Sequence, residues 1–219
     1  MRMLLCTALV AACLLGQTAA AALVITEVAS TSGAPAGPLS GLDWWELTNT
    51  GPGSVLLDGY EWEDNNPQGA GLDTAVFPTG ITITADESII IHQGDMSVVA
   101  AFRSDWGLSS SVQILYEDLF GGNNTFSGLS NSGDEVHLYN AMGSEVASAS
   151  FPSATAGVSF EWNRQRVSLG LSVNGENGAY TASNGRVGSP GSAVPEPATI
   201  LLGTMTLCAV AGCGLRRRR

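Results

Sequence analysis

Between Leu23 and Trp162 the apolar residues come in short runs separated by clusters of Gly, Asn, Asp and Pro. Runs this short, rich in Ile, Val, Thr and aromatics, suit the strands of a β-sandwich or barrel. The spacing predicts strands near residues 23–28, 43–49, 54–62, 80–84, 88–92, 113–116, 135–139, 145–151 and 159–162. Ile81 and Ile83 alternate with Thr82 and Thr84, and Val136 and Leu138 with His137 and Tyr139, so each pair of strand faces reads as one buried and one wet. Ile89, Ile90 and Ile91 are consecutive, which predicts a central strand covered on both faces. Met142–Gly143 reads as a hairpin turn. Only residues 95–106 have helical spacing, with Val98, Val99 and Phe102 on one side, enough for one or two turns.

Cysteine narrows how such a fold is held. Cys6, Cys13, Cys208 and Cys213 all lie in the terminal segments, so residues 23–193 have neither a disulfide nor a thiolate. About 170 residues must therefore form one domain on an ordinary apolar core. Charge narrows what it binds. Of nine basic and twenty acidic residues, Arg2, Arg216–Arg219 and Glu196 lie at the ends. The domain keeps four arginines, no lysine and nineteen acids, a net charge of −15. Such a surface repels phosphate backbones and favours solubility and cations, so no nucleic acid is expected as a partner.

The two ends read as targeting segments. Arg2, the apolar stretch from Met3 to Leu15 and the small residues from Thr18 to Ala22 have the anatomy of a signal peptide over residues 1–22. A competing reading takes Val10, Ala11, Ala12 and Cys13 as a lipobox, but Leu14 and Leu15 carry the apolar run beyond it. At the other end, residues 198–215 are uncharged, and as a helix they would span roughly 27 Å, close to a bilayer core. Arg216, Arg217, Arg218 and Arg219 would stay on the cytoplasmic side. Pro195 and Pro197 hold Glu196 extended beside the membrane. That geometry serves a processing enzyme, or equally the stalk of a permanent single-span anchor.

Two resemblances follow. Val194, Pro195, Glu196 and Pro197, then an apolar span, then an arginine cluster resemble a PEP-CTERM sorting signal over residues 194–219. The resemblance implies processing by an exosortase in a Gram-negative bacterium, an inner-membrane intermediate, and then the cell surface or exopolysaccharide matrix. The second lies in residues 23–193. Ile25–Thr26–Glu27–Val28, then residues 43–49, Leu57–Asp58–Gly59–Tyr60, Phe77–Pro78, residues 129–139 and Gly188–Ser189–Pro190–Gly191 occur in the order of a lamin tail domain. This implies an all-β, immunoglobulin-like β-sandwich flanked by a signal peptide and a transmembrane helix, and it implies no chemistry.

Residues that could carry chemistry have plainer readings beside them. His92 and His137, as base or metal ligand, read first as half-exposed strand residues. No Ser stands in a G-x-S-x-G elbow. Glu61, Glu63 and Asp64, or Asp134 with Glu135, would serve glycoside hydrolysis only if carboxyls opposed each other across a cleft. Asp64, Asn66, Gln68 and Gly69 begin like a calcium loop, with Glu61 or Asp73 as further donors, but Ala75 stands where an EF-hand needs Glu. The plain alternative is an Asx-turn loop. Trp44, Trp45, Trp62, Trp106 and Trp162 offer either core or a sugar-stacking platform. Because neighbours on a strand face opposite sides, at most one of Trp44 and Trp45 is expected in the core. The leading reading is an exported, non-catalytic structural or interaction module without a cofactor. The alternatives are a calcium- or carbohydrate-binding module and a permanently membrane-anchored protein.

Overall fold

A computed structural model describes residues 23–30, 37–64, 74–122, 125–126 and 128–192. The strands in chain order are β1 (Leu23–Ala29), β2 (Trp44–Asn49), β3 (Val55–Leu56), β4 (Glu61–Asp64), β5 (Ala75–Val76), β6 (Thr82–Ile83) and β7 (Ser88–His92). After the helix α1 (Met96–Trp106) come β8 (Gln113–Tyr116), β9 (Gly121–Gly122), β10 (Gly133–Tyr139), β11 (Glu145–Pro152) and β12 (Phe160–Trp162). The last are β13 (Ser168–Leu171), β14 (Tyr180–Thr181) and β15 (Val187–Gly188).

Two sheets face each other. One has the order β13-β12-β1-β2-β7-β8 and the other β11-β10-β4-β5-β9, and two short ribbons, β3-β6 and β14-β15, flank them. Alternation sends Ile25, Trp45, Leu47, Ile89 and Ile91 inward from the first sheet, where they meet Trp62, Val136, Leu138, Ala149 and Phe151 from the second. Trp45 meets Trp62 edge to face at 5.3 Å, and Trp62 meets Phe126 at 4.8 Å. Indoles bury large areas, so these contacts anchor the sandwich.

The first sheet also has a covered outer face. β7 and β8 are parallel, and parallel neighbours need a crossover, which α1 supplies. Asp95 caps the helix by accepting from Ser97 N at 2.7 Å, and Gly107 ends it at φ 62°. Val98, Phe102 and Trp106 then pack on Trp44, Ile90 and Ala29 as a second apolar cluster. Ile90 is thus buried under the helix while Ile89 and Ile91 line the sandwich, as the three consecutive isoleucines require.

That layer corrects two expectations. The helix has 11 residues, about three turns rather than one or two. Trp44 and Trp45 do point to opposite sides, yet both are core, at 1% and 0% exposure, because each side of β2 has its own layer. The run at 54–62 is two strands, not one. The chain turns through Leu57–Tyr60, where Gly59 has φ 72° and Tyr60 N donates to the Leu57 carbonyl at 3.0 Å. The β10–β11 hairpin turns as expected at Gly143 (φ 74°), with the Asn140 side chain accepting from Met142 N and Ser144 N. Its polar face is not wet, however. His137 and Tyr139 are buried, folded over by Glu135, Glu145 and Glu63.

Candidate functional site

Three carboxyl groups come together on the outer face of the first sheet, beside the helix layer. β1 pairs with β12 so that Glu27 faces Glu161, and with β2 so that Glu27 faces Glu46. Their flanking residues Val28, Phe160, Trp45 and Leu47 point into the sandwich, so alternation turns all three glutamates outward. Three carboxyl groups therefore stand in one row across three adjacent strands. All are buried.

The segment after β15 covers the row and supplies its donors. Ser189 N donates to Glu27 at 2.8 Å, and Gly191 N donates to Glu46 at 2.5 Å. Ser159 Oγ donates to Glu27 at 2.5 Å, and Thr26 Oγ1 donates to Glu46 at 2.6 Å. Thr26, Thr48 and Ser88 continue as a chain of hydroxyls at 2.8 and 2.7 Å. Ser189 Oγ stands 2.9 Å from Glu161 and 3.2 Å from Glu27. One hydroxyl proton cannot serve both carboxylates, so the row favours holding a proton of its own. Gly188 allows the close approach: a Cβ there would lie 2.4 Å from Glu27 Oε1 and 2.8 Å from Ser159 Oγ.

Burial is the main electrostatic force on this row. It raises the Glu27 carboxyl well above the usual range, with the charges of Glu46 and Glu161 adding to it. Burial likewise pushes Glu46 up to about 7, against the pull of its hydrogen bonds, and raises Glu161. Groups sealed this way cannot meet a substrate. What they do is lock the last segment of the domain onto its first strand.

The residues that the sequence offered for chemistry are likewise used in packing. His92 is buried, not half-exposed; it stacks edge to face on Phe102 at 4.9 Å and donates through Nδ1 to the Gln93 carbonyl. Burial lowers its pKa to about 4, so it stays neutral. His137 is also buried, with Nε2 2.8 Å from Glu135 and Nδ1 3.0 Å from Glu145. Glu63 accepts from Tyr139 Oη at 2.6 Å, and Asp134 accepts from Ser130 N at 2.6 Å. These carboxylates do not oppose each other across a cleft. All five tryptophans are buried, at 5% exposure or less, so they form no sugar platform.

Asp64 closes β4 opposite Val136, and Ala75 opens β5. Asn66, Gln68, Gly69 and Asp73 lie outside the described residues, as do residues 1–22, where a signal peptide is expected, and the whole stretch from Val194 to Arg219. Among the described residues no three His, Cys, Asp or Glu side chains gather as a metal cluster. No helix among them is long and apolar enough to cross a membrane.

The glutamate row was not singled out from the sequence. Its signal was there: Glu27, Glu46 and Glu161 each sit singly inside an apolar strand run, Thr26–Glu27–Val28, Trp45–Glu46–Leu47 and Phe160–Glu161–Trp162. A family model described as Lamin Tail Domain matches residues 16–153, ending just before β12. No curated protein matches the sequence significantly.

Proposed function

Since the chain belongs to the lamin tail domain family, a family of non-enzymatic immunoglobulin-like domains, we propose that it is an exported structural or interaction module, sorted by its C-terminal tail, with no catalytic activity. The observation that carries the reading is the fate of the chemistry-bearing side chains. The carboxylates of the row, both histidines and the five tryptophans are buried, hydrogen-bonded within the fold or packed in the two cores. A domain built this way offers its surface, not a cleft.

The tail supports the sorting half of the proposal. In this reading the sequence Val194, Pro195, Glu196 and Pro197 is the processing region, the uncharged run 198–215 would hold the chain in the inner membrane, and Arg216–Arg219 would keep it from slipping through. An exosortase is the processing partner, and the cell surface or exopolysaccharide matrix is the destination. The test is mass spectrometry of the protein isolated from cells with and without an exosortase. With the enzyme, the chain should lose the segment after about residue 198 and leave the inner membrane. Glu196→Gln should insert normally but resist processing. A mature protein that keeps its arginines and stays in the inner membrane with the enzyme present would establish a permanent anchor instead.

A further inference from the structure

Among the described residues β13 is the outermost strand of its sheet, bonded to β12 on one side and to no strand on the other. Val167, Leu169, Leu171 and Val173 are exposed here at alternate positions. The other exposed large hydrophobics among the described residues, Leu56, Met96, Leu119 and Met142, are scattered. An open apolar edge is a template for another strand, and proteins normally blunt one. The other edges are blunted in that way: β11 shows Ser148 and Ser150 and ends on Pro152, and β9 is two glycines. β8 buries Ile114 and Leu115 and ties down Gln113 on Thr82 and Glu87.

The sequence of the open edge names its occupant. Residues 167–173 read Val-Ser-Leu-Gly-Leu-Ser-Val, the same in both directions about Gly170. A two-fold interface needs a surface complementary to itself. Two such strands, antiparallel about Gly170, set Val167 against Val173, Ser168 against Ser172 and Leu169 against Leu171 of the second copy. Gly170 has φ 85° at a bulge, where the pairing with β12 shifts register, and the space around its α-carbon is open. The bulge divides the edge into two matching arms, 167–169 and 171–173. Charge points to the same place. A domain of net −15 repels its own copies, and residues 167–173 carry no charge. We propose that a second copy of this chain pairs along β13, joining two six-stranded sheets across a two-fold axis at Gly170.

The test uses full-length chains with Cys6, Cys13, Cys208 and Cys213 replaced by alanine. Two differently tagged versions, one with Leu169→Cys and one with Leu171→Cys, are expressed together in an oxidising periplasm. Opposed residues of an antiparallel pair come within disulfide reach. The mixed 169–171 dimer should exceed either same-residue dimer at least tenfold, with melting temperatures unchanged under reduction. Leu169→Lys placed in the chain that carries Leu171→Cys should reduce its linking to the Leu169→Cys partner by a similar factor, because the lysine then faces that partner's Leu171. A control pair at the β11 edge, Ser148→Cys with Ser150→Cys, should stay monomeric. Absence of the mixed dimer in folded protein, or equal linking at β11, overturns the proposal.

Discussion

Single residues set the pH response of this domain, and two of them pull in opposite directions. Glu46 is raised to about 7 when folded, so its contribution to stability is complete below its unfolded value and fades as pH climbs through 7. His92 is lowered to about 4, so its contribution is present above its unfolded value of 6.5 and fades as pH falls toward 4. Between about 4.5 and 6.5 the two slopes oppose each other; above that, only the falling carboxylate slope remains. Glu46→Gln should therefore remove one of the falling slopes, leaving those of Glu27 and Glu161 against the rise from His92. It should also flatten the decline near 7, on the order of 1–3 kcal/mol across the window. Calorimetric melting at half-unit pH steps from 4 to 8 measures this, and a variant with the parent's profile would show that Glu46 does not hold the proton. The place of Glu46 inside an apolar run was visible beforehand, but what covers it was not. A histidine on a strand reads as half-exposed until its cover is known, and a single Glu among apolar residues reads as a surface position on one face.

Elements were easier to read than what lies over them. β7 and β8 fall where periodicity put them, and β1, β2, β10, β11 and β12 differ by one or two residues, because alternating Ile, Val and Trp leave a strand little choice. The two-residue strands β3 and β6 fall inside predicted runs, but β5, β9, β14, β15 and β13 were missed, since a pair of residues carries no period and Ser-Leu-Gly-Leu contains a glycine. The helix layer was underestimated for another reason. Only Val98, Val99 and Phe102 announced it, whereas its length comes from the Asp95 cap and from Trp106 closing the last turn against Tyr180 at 5.4 Å. Phe102 is the joint of this layer, fully buried and in ring contact with Trp44, His92 and Trp106. Phe102→Ala should cost about 3–5 kcal/mol in chemical unfolding. It should also let water reach His92, raising the histidine's NMR titration midpoint toward its ordinary value. A loss below 1 kcal/mol would mean that α1 contributes little to the fold.

At the scale of the molecule, residues 23–192 should fold without either flanking segment, because both cores and the glutamate row are complete within them. Far-ultraviolet circular dichroism of that fragment should show a mostly β spectrum with one cooperative melt, and a helical spectrum or a non-cooperative melt would refute it. The cross-chain lock has a further effect on timing. Glu27 belongs to the first strand, and its partner Ser189 lies 162 residues later. A ribosome adding some 5–20 residues each second delivers the two roughly 8–32 seconds apart. Until Ser189 and Gly191 arrive, the carboxylates of β1 and β2 lack their backbone donors, and sealing them in an apolar layer is unfavourable. The nascent domain thus carries its own delay: its opening strand cannot be sealed until nearly all of the chain has been made. For a polypeptide threaded unfolded through a narrow channel, that delay preserves the state the channel requires.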